Sequence, residues 1–283
     1  MGGEYINLSP GNLMQEHLCC IIRQKAQHPG VEAKRRWLAA RLPEGHMFRK
    51  LDVKGCAFIE YAPLERAWVP ILGENFLYIY CLWVDGALKH HGYGHALMEY
   101  CIFDAKSKAK SGICILGADK QKAWLSDQSF AKQFGFQTVD QTENGYQLLA
   151  MSFDGSKPRF APQVHQPEIP EQQLVIYYDM QCPFILERVE KLKAYCTAHR
   201  IPASFVLVDT LVKAKNLPGV FNNFAVFYHG KLQTVNQLNP VMLEKMLDRY
   251  LQGMDTKSGV SFGYTALYFL SVRLGVFWHF TCL

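Results

Sequence analysis

The residues with the clearest chemical potential form one basic, glycine-bearing turn. In chain order they are Lys89, His90, His91, Gly92, Tyr93, Gly94 and His95. Glycines let an anion approach the backbone closely, and the first N–H groups of a helix have no partner within that helix. The lysine and the histidines add side-chain donors that suit a phosphate. This turn therefore predicts an anion site, provided that a strand precedes it and a helix follows it.

The sequence around the turn predicts those two elements. The run from Phe76 to Val84 is apolar, aromatic and β-branched, as in a buried strand, and it breaks at Asp85-Gly86. After the turn, apolar residues recur at helical spacing as far as about Gly112; they are Leu97, Met98, Cys101, Ile102 and Ala105. Strand, turn and helix together favour a phosphate cradle, with a plain tight connection as the alternative.

Two motifs resemble those of the GNAT acetyltransferase superfamily. The segment Lys89-x-x-Gly92-x-Gly94 is similar to its (Arg/Gln)-x-x-Gly-x-(Gly/Ala) signature, although a lysine replaces the usual Arg or Gln. Residues 133–136, Gln-Phe-Gly-Phe, resemble the turn after the family's fourth helix. The resemblance implies that the turn's amides hold the pyrophosphate of acetyl-CoA. It also implies that the preceding strand pairs with the pantetheine arm through Cys81, Leu82, Trp83 and Val84.

The implied function is that of an acetyl-CoA-dependent N-acetyltransferase, which moves the acetyl group directly to an amine of a small molecule or a peptide. No motif identifies the acceptor or the oligomeric state. The net charge of +5 over 283 residues suits an acidic co-substrate such as CoA, and no basic run is long enough to predict nucleic-acid binding. No carboxylate or cysteine stands at ligand spacing beside the three histidines, so no metal is expected.

Acetyl transfer needs a group that takes a proton from the amine. Glu60 is the first candidate, because a glutamate among the apolar neighbours of Phe58-Ile-Glu-Tyr61 is expected to have a raised pKa. The alternative is a glutamate on the wet face of a half-buried strand. Asp127 is the second candidate, although Ser126-Asp127 before a helix is more often a helix cap.

The departing thiolate needs a proton or an equivalent stabilising group. Many members of the family that this chain resembles place a tyrosine four residues before the glycine of the terminal turn, and Ala131 occupies that position here. Tyr93, Ser126 or a water molecule is left to supply the proton. The alternatives are weak catalysis and a domain that only binds CoA.

The sequence divides into four parts. Residues 1–153 are expected to form an α/β domain with the mixed sheet of the GNAT fold. Residues 154–172 contain prolines without apolar periodicity, as in an extended linker. Residues 173–252 are expected to form a smaller α/β domain, and 253–283 are an apolar tail.

Several elements of the first part are predicted individually. Helices are expected from Leu13 to about Gln27 and from Val31 to Leu42. The second of these is amphipathic, and its expected wet side carries Lys34, Arg35, Arg36 and Arg41. Strands are expected at 48–53, 56–61 and 67–71, then at 111–116, 136–139 and 146–153.

The smaller domain shows the element order β-α-β-β-β-α, with its first strand at 174–178. This order resembles a thioredoxin-like domain. It is more similar still to the C-terminal domain of YoaP-type acetyltransferases, which carry it behind a GNAT domain. Phe58-Ile-Glu-Tyr61 and Ala67-Trp-Val-Pro-Ile71 also resemble that family, so the resemblance covers nearly the whole chain except the tail.

Cys182 is the site candidate of the smaller domain. It follows the strand at 174–178 and precedes a helix, whose N-terminus would stabilise a thiolate. The position three residues on is Ile185, so dithiol redox chemistry is not expected. A catalytic or thioester-contacting thiol and a buried structural cysteine remain the alternatives. A second function is therefore a CoA-binding or thiol-sensing module that uses Cys182.

Cysteine usage and the tail bear on location. The nine cysteines are odd in number and include no Cys-x-x-Cys pair, which is typical of a reducing compartment and indicates the cytoplasm. The tail from Gly259 to Leu283 is long enough to span a thin bilayer, but Arg273 lies near its middle. We expect a packed helix or an extension, with a membrane anchor as the minor alternative.

Overall fold

A computed structural model describes residues 4–18 and 28–257, with side chains as far as residue 250. In chain order, its strands are β1 (Tyr5–Asn7), β2 (Met47–Leu51), β3 (Ala57–Pro63), β4 (Ile71–Leu72), β5 (Phe76–Val84), β6 (Gly112–Ala118), β7 (Gln137–Gln141), β8 (Tyr146–Ser152), β9 (Arg159–Phe160), β10 (Leu174–Tyr178), β11 (Ala203–Leu207), β12 (Phe224–Tyr228) and β13 (Lys231–Thr234). Its α-helices are α1 (Pro29–Arg41), α2 (Tyr93–Ser107), α3 (Gln128–Gln133), α4 (Ile185–Ala198), α5 (Leu211–Lys215) and α6 (Pro240–Lys257).

The larger sheet has seven strands in the order β1-β2-β3-β5-β6-β8-β7. Its neighbours pair antiparallel except β5 and β6, which are parallel and are joined through α2. A parallel pair needs a crossover of this kind, whereas antiparallel strands can be joined by short turns. The mixed α/β fold expected from the sequence is confirmed, and β5 has the predicted limits.

The parallel pair separates along its length. The pairing of β5 with β6 begins at Phe76 and Gly112 and ends at Ile79 and Ile115, although β5 continues to Val84. On its other side β5 stays paired with β3 to that end. Backbone groups of residues 81–84 that face β6 are therefore outside the strand ladder, and they need other hydrogen-bond partners. A ligand inserted between the two strands could supply those partners.

The smaller sheet has four strands in the order β11-β10-β12-β13. β10 and β11 are parallel, and the other neighbours are antiparallel. The apolar run of β10 is buried on both faces, which explains why its limits were predicted correctly at 174–178. The helix α5 between β11 and β12 was not predicted.

One predicted strand is wrong. Residues 67–70 make no strand pairing, and only Ile71–Leu72 pair, with β9. The backbone of this segment bonds locally instead, since Val69 N–H donates to the Ala67 carbonyl and Trp68 N–H donates to the Tyr80 hydroxyl at 2.6 Å. The segment is apolar because it is buried in the core, and Pro70 also lacks a donor for a strand ladder.

Other predictions fall at the limits of the described residues. The second predicted helix is confirmed as α1. Of the first predicted helix, residues 13–16 lie in turns, and residues 19–27 lie outside the described part of the chain. Residues 258–283 of the predicted tail also lie outside the described part of the chain. Among residues 4–18 and 28–257, no helix combines the length and the apolar character that a membrane crossing requires.

The chain clusters into two compact units. One comprises Met1–Val189 with Ala203–Gln237 and contains both sheets, and the other comprises Glu190–Pro202 with Leu238–Leu283. Within the first unit, buried residues of the two sheets belong to one hydrophobic cluster, including Phe48, Tyr78, Val175 and Phe227. Polar contacts join the sheets as well, for example Tyr78 Oη to Asn222 Oδ1 at 3.3 Å. The predicted domain limits at 153 and 173 stay a prediction.

Helix α1 packs closely against the loop that follows β10. A Cβ atom added to Gly30, in the first turn of α1, would overlap the carbonyl oxygen of Pro183. We expect Gly30→Ala to lower the free energy of unfolding by about 1–3 kcal/mol, because the backbones must move apart. Chemical denaturation measures this change. The control is Gly11→Ala, whose new Cβ would meet only Ser9 Oγ at 3.8 Å. Equal stability of the two variants would contradict this packing.

Candidate active site

A cavity of about 1310 Å³ lies within the first unit. The end of β5, the basic turn and the loop before α3 form its walls on the side of the larger sheet. The smaller sheet contributes the loop after β10 and the residues before β12. Both sheets therefore supply side chains to one cavity, and clefts of this kind are common ligand sites.

The cavity collects nearly every predicted site residue. Its lining includes Glu60, Cys81, Leu82, Trp83, Val84, Lys89, His90, Gly92, Tyr93, Gly94, His95, Asp127 and Cys182. His91 does not line it; the side chain is exposed, with its ring 6.0 Å from that of Tyr93. The site roles of all these residues stay predictions.

The basic turn has the backbone of an anion cradle. Gly92 caps α2 with φ of +80°, a left-handed conformation that glycine adopts without steric cost, and no side chain caps this helix end. The first helical hydrogen bond runs from Ala96 N–H to the Gly92 carbonyl at 3.0 Å. The N–H groups of Tyr93, Gly94 and His95 therefore precede the helical ladder and are oriented for an anion. His90 has φ of 64°, a strained value that is common at binding turns.

Glu60 lines the cavity and is fully buried. Three side chains contact its carboxylate: Lys34 Nζ at 2.6 Å, His46 Nε2 at 3.0 Å and Gln181 Nε2 at 2.8 Å. Burial by itself would raise the pKa of Glu60, but the Lys34 charge and the His46 hydrogen bond outweigh it and lower that pKa. The expectation of a raised pKa is therefore wrong. The partners that lower the pKa of Glu60 come from other parts of the chain, and the sequence of its own apolar strand does not indicate them.

The position of Lys34 differs from the one that the sequence predicts. The sequence predicts Lys34 on the solvent-exposed side of α1, yet this residue is only 2% exposed. It shares the buried face of α1 with Ala33, Trp37 and Leu38. A buried ammonium is stable here because it forms an ion pair with Glu60, and isolated burial of either charge would be costly.

Three side-chain amides extend from Glu60 along the smaller sheet, and we call them the amide chain. Gln181 Nε2 donates to Glu60, Asn223 Nδ2 donates to Gln181 Oε1 at 3.1 Å, and Gln237 Nε2 donates to Asn223 Oδ1 at 3.0 Å. All three residues are buried and line the cavity. Sequence reasoning missed them. The one local signal was the pair Asn222-Asn223 between Phe221 and Phe224, which are both buried.

Asp127 does cap a helix. Its Oδ1 accepts from Ser129 N at 2.8 Å and from Ser129 Oγ at 2.6 Å, at the start of α3. These hydrogen bonds lower the pKa of Asp127. The cap interpretation is therefore confirmed, while the catalytic role remains a prediction for a carboxylate that already has structural partners.

Cys182 is half-buried and lies beside Gln181 in the loop before α4. Ile185, where a resolving cysteine would stand, is the first residue of α4 and is fully buried. Phe184 lines the cavity together with Cys182, and its ring packs edge-on against that of Trp124, with the ring centroids 5.8 Å apart. Cys182 thus shares a cavity with the basic turn, and the position of the thiol makes both of its predicted roles testable.

Candidate donors for the thiolate also reach the cavity. Ala131 is buried at the position where the resembled family has tyrosine. Tyr93 and Ser126 both line the cavity, and Ser126 Oγ accepts from Leu82 N–H at 3.5 Å. Tyr80 lines it too, but burial raises the pKa of its hydroxyl well above the usual value, which makes Tyr80 a poor proton donor. Within the described residues, no group of three or more histidine, cysteine or carboxylate side chains could hold a metal.

Asp179 lies behind the amide chain. It is fully buried, and its Oδ1 accepts from Gln181 N–H at 2.9 Å, while Oδ2 has no partner among the described residues. Burial raises the pKa of Asp179 well above its usual value, and the nearby Glu60 charge adds to that shift. Its surroundings therefore favour the protonated form of Asp179, and its Oδ1 orients the Gln181 backbone.

Comparisons with known proteins match two families along the chain. Residues 12–136 match the acetyltransferase (GNAT) family, and residues 202–249 match the YoaP-like family. The chain is 34% identical over 246 residues to a Bacillus subtilis (strain 168) protein described as an uncharacterized N-acetyltransferase YoaP. That match covers 86% of this chain and 98% of the relative.

Solved structures with a similar fold include a Brucella melitensis GNAT family acetyltransferase in complex with acetyl-CoA. It is 12% identical and covers 56% of this chain and 92% of its own, with a TM-score of 0.37. Another is the Escherichia coli ribosomal-protein-S18-alanine N-acetyltransferase, 13% identical, covering 55% and 96%, also with a TM-score of 0.37.

The raised pKa of Asp179 makes stability depend on pH. The folded protein keeps this proton, whereas the unfolded chain releases it above about pH 3.8, so the contribution of Asp179 to stability is lost as pH rises from there toward the folded pKa. Asn cannot ionise and keeps an acceptor for Gln181 N–H. We expect the stability of Asp179→Asn relative to wild type to increase from pH 4 to pH 7, as measured by urea denaturation.

The control for this prediction is Asp52→Asn, because the Asp52 side chain is 54% exposed. Its stability relative to wild type should vary little over the same range. A difference between Asp179→Asn and wild type that stays constant from pH 4 to pH 7 would show that Asp179 is ionised in the folded protein.

Proposed function

The chain belongs to the GNAT family of N-acetyltransferases, and we propose that it moves the acetyl group of acetyl-CoA to an amine by direct transfer inside the cavity. The observation that carries this proposal is the meeting of three features in one space. These are the separated end of β5, the glycine turn at the N-terminus of α2, and the buried carboxylate of Glu60. The first two suit the co-substrate, and the third suits the amine.

We assign the co-substrate end to residues 81–84 and 89–95. The N–H groups at the start of α2 suit the pyrophosphate, and Lys89 adds a positive charge. The unpaired edge of β5 suits the amide groups of a pantetheine arm. Bound acetyl-CoA would supply an activated acyl carbon at the point where β5 and β6 separate.

The transfer forms a bond from the amine nitrogen to the acyl carbon and breaks the carbon–sulfur bond. One proton leaves the amine, and one is taken up by the thiolate. We propose Glu60 as the acceptor of the amine proton, because it is ionised and lines the cavity. The lowered pKa makes the Glu60 carboxylate a weak base. Its negative charge also stabilises the positive charge that develops on the attacking nitrogen. Tyr93 or Ser126 is the proposed donor to the thiolate.

We further propose that residues 173–252 form a thioredoxin-like domain that shapes the acceptor end. Support comes from the element order, with β10 parallel to β11, and from the amide chain that this part contributes. The acceptor is a small-molecule or peptide amine. The sequence pattern of the cysteines supports a cytoplasmic location.

Gly94→Glu tests the co-substrate site. An added Cβ at Gly94 would lie 3.4 Å from the Phe130 ring, so the backbone tolerates a side chain. The new carboxylate would clash with the pyrophosphate and repel it. We expect acetyl-CoA binding, measured by calorimetry, to weaken at least about 100-fold, or 2.7 kcal/mol. Gly11→Glu, on an exposed turn, is the matched control. Wild-type protein that binds no acetyl-CoA at millimolar ligand would overturn the proposal.

A CoA-binding or thiol-sensing module is the second candidate function, because Cys182 lines the same cavity as the basic turn. If the thiol senses oxidation, mild peroxide should weaken acetyl-CoA binding by wild type relative to its own untreated sample, and Cys182→Ser should abolish that loss. The control is Cys196→Ser, since burial raises the pKa of Cys196 to about 11 and makes it less reactive. An identical response of wild type and Cys182→Ser to peroxide removes this candidate.

A further inference from the structure

The amide chain ends in a buried oxygen without a hydrogen-bond partner in the described part of the protein, which suggests that a ligand binds there. Gln237 is fully buried and lines the cavity, and its Oε1 has no hydrogen-bond partner among the described residues. Buried side-chain oxygens are nearly always hydrogen-bonded, so an exception in the wall of a binding cavity calls for a partner that enters that cavity. The carboxylate of Glu60, at the other end of the chain, has three partners.

The ionised Glu60 determines which atom Gln237 presents. A carboxylate only accepts hydrogen bonds, so Gln181 must turn its NH₂ group toward Glu60 and its oxygen away. Asn223 must then donate to that oxygen, and Gln237 must donate to the oxygen of Asn223. Each amide thus sets the orientation of the next one. The chain can end only in an acceptor, which is Gln237 Oε1.

The same arrangement strengthens this acceptor. Hydrogen bonds that run in one direction polarise one another in a low-dielectric interior. Here every amide donates toward a negative charge, which increases the electron density on each carbonyl oxygen behind it. Gln237 Oε1 therefore suits a hydroxyl or an ammonium group, which are strong donors, and it repels groups that only accept.

The group that Gln237 meets differs from the amine that Glu60 meets. Glu60 stands on β3, which pairs with the separated end of β5, whereas Gln237 follows β13 in the smaller sheet. Two other amides lie between them in the chain, and no hydrogen bond joins Gln237 to Glu60 among the described residues. A molecule that reaches both ends must carry two separate donors.

We propose that Gln237 Oε1 accepts a hydrogen bond from the acceptor substrate. The substrate is accordingly a small amine with a second donor, a hydroxyl or a second ammonium group, placed away from the reacting nitrogen. This inference rests on the proposed acetyltransferase function and adds the chemical class of its acceptor. Gln237 is then a specificity-determining residue, and Gln181 and Asn223 are positioning residues that orient it.

Matched pairs of amines test the inference. Ethanolamine and propylamine differ only by a hydroxyl in place of a methyl group, and 1,4-diaminobutane and pentylamine differ only by an amine in place of a methyl group. We expect wild-type kcat/KM to favour the donor-bearing member of at least one pair by about tenfold or more, because a site built for a donor rejects the analogue without it. This comparison needs no variant.

Gln237→Met separates this role from a structural one. Methionine keeps the volume of the side chain and removes the acceptor oxygen. We expect the preference within the pair to fall to about threefold or less, while calorimetry shows unchanged acetyl-CoA binding. Gln233→Met is the matched control, because Gln233 donates to the carbonyls of Tyr228 and Lys231 and does not line the cavity. It should keep the wild-type preference.

The possible results distinguish a failure of the proposed function from a failure of the inference about the acceptor. Wild type that binds no acetyl-CoA refutes the proposed function itself. Wild type that binds acetyl-CoA but acetylates both members of each pair equally, or acetylates only peptide N-termini, overturns the inference about the acceptor. A preference that survives intact in a folded Gln237→Met protein, as judged by its thermal melt, also overturns it.

Discussion

A buried negative charge is the constraint on which this structure depends. The carboxylate of Glu60 has no exposed surface, and a charge in that position is stable only with close partners. Its partners come from three separate parts of the chain: Lys34 on α1, His46 before β2, and Gln181 after β10. The hydrogen bonds and the ion pair of Glu60 therefore connect α1 and both sheets around one cavity.

The cavity has two ends that are built by different physical means. At the end that we propose for the co-substrate, backbone groups of β5 and α2 line the cavity, and their positions depend on strand divergence and on the conformation of Gly92. At the other end, buried side-chain amides line it, and their orientation depends on Glu60. The second end depends on particular buried side chains, and we propose that the acceptor binds there.

Local patterns predicted a large part of the fold and of the co-substrate end. β5 and β10 were predicted with their observed limits, because both are long apolar runs bounded by clear breaks. The turn from Lys89 to His95 was recognised from glycine spacing, and all of it except His91 lines the cavity. The segment at 67–71 was mistaken for a strand, since burial and strand pairing produce the same apolar signal in a short run.

By itself, the sequence determined most of the elements, the position of the glycine turn and the family to which the chain belongs, because these depend largely on residues close together in the chain. Only the tertiary structure decided the ionisation of Glu60, the burial of Lys34 and the direction of the amide chain that ends at Gln237. Glu60 and Gln181 are 121 positions apart, and Gln181 and Asn223 are 42 apart. A pKa and a hydrogen-bond direction depend on neighbours in space, and no local pattern of residues specifies which distant side chains those neighbours will be.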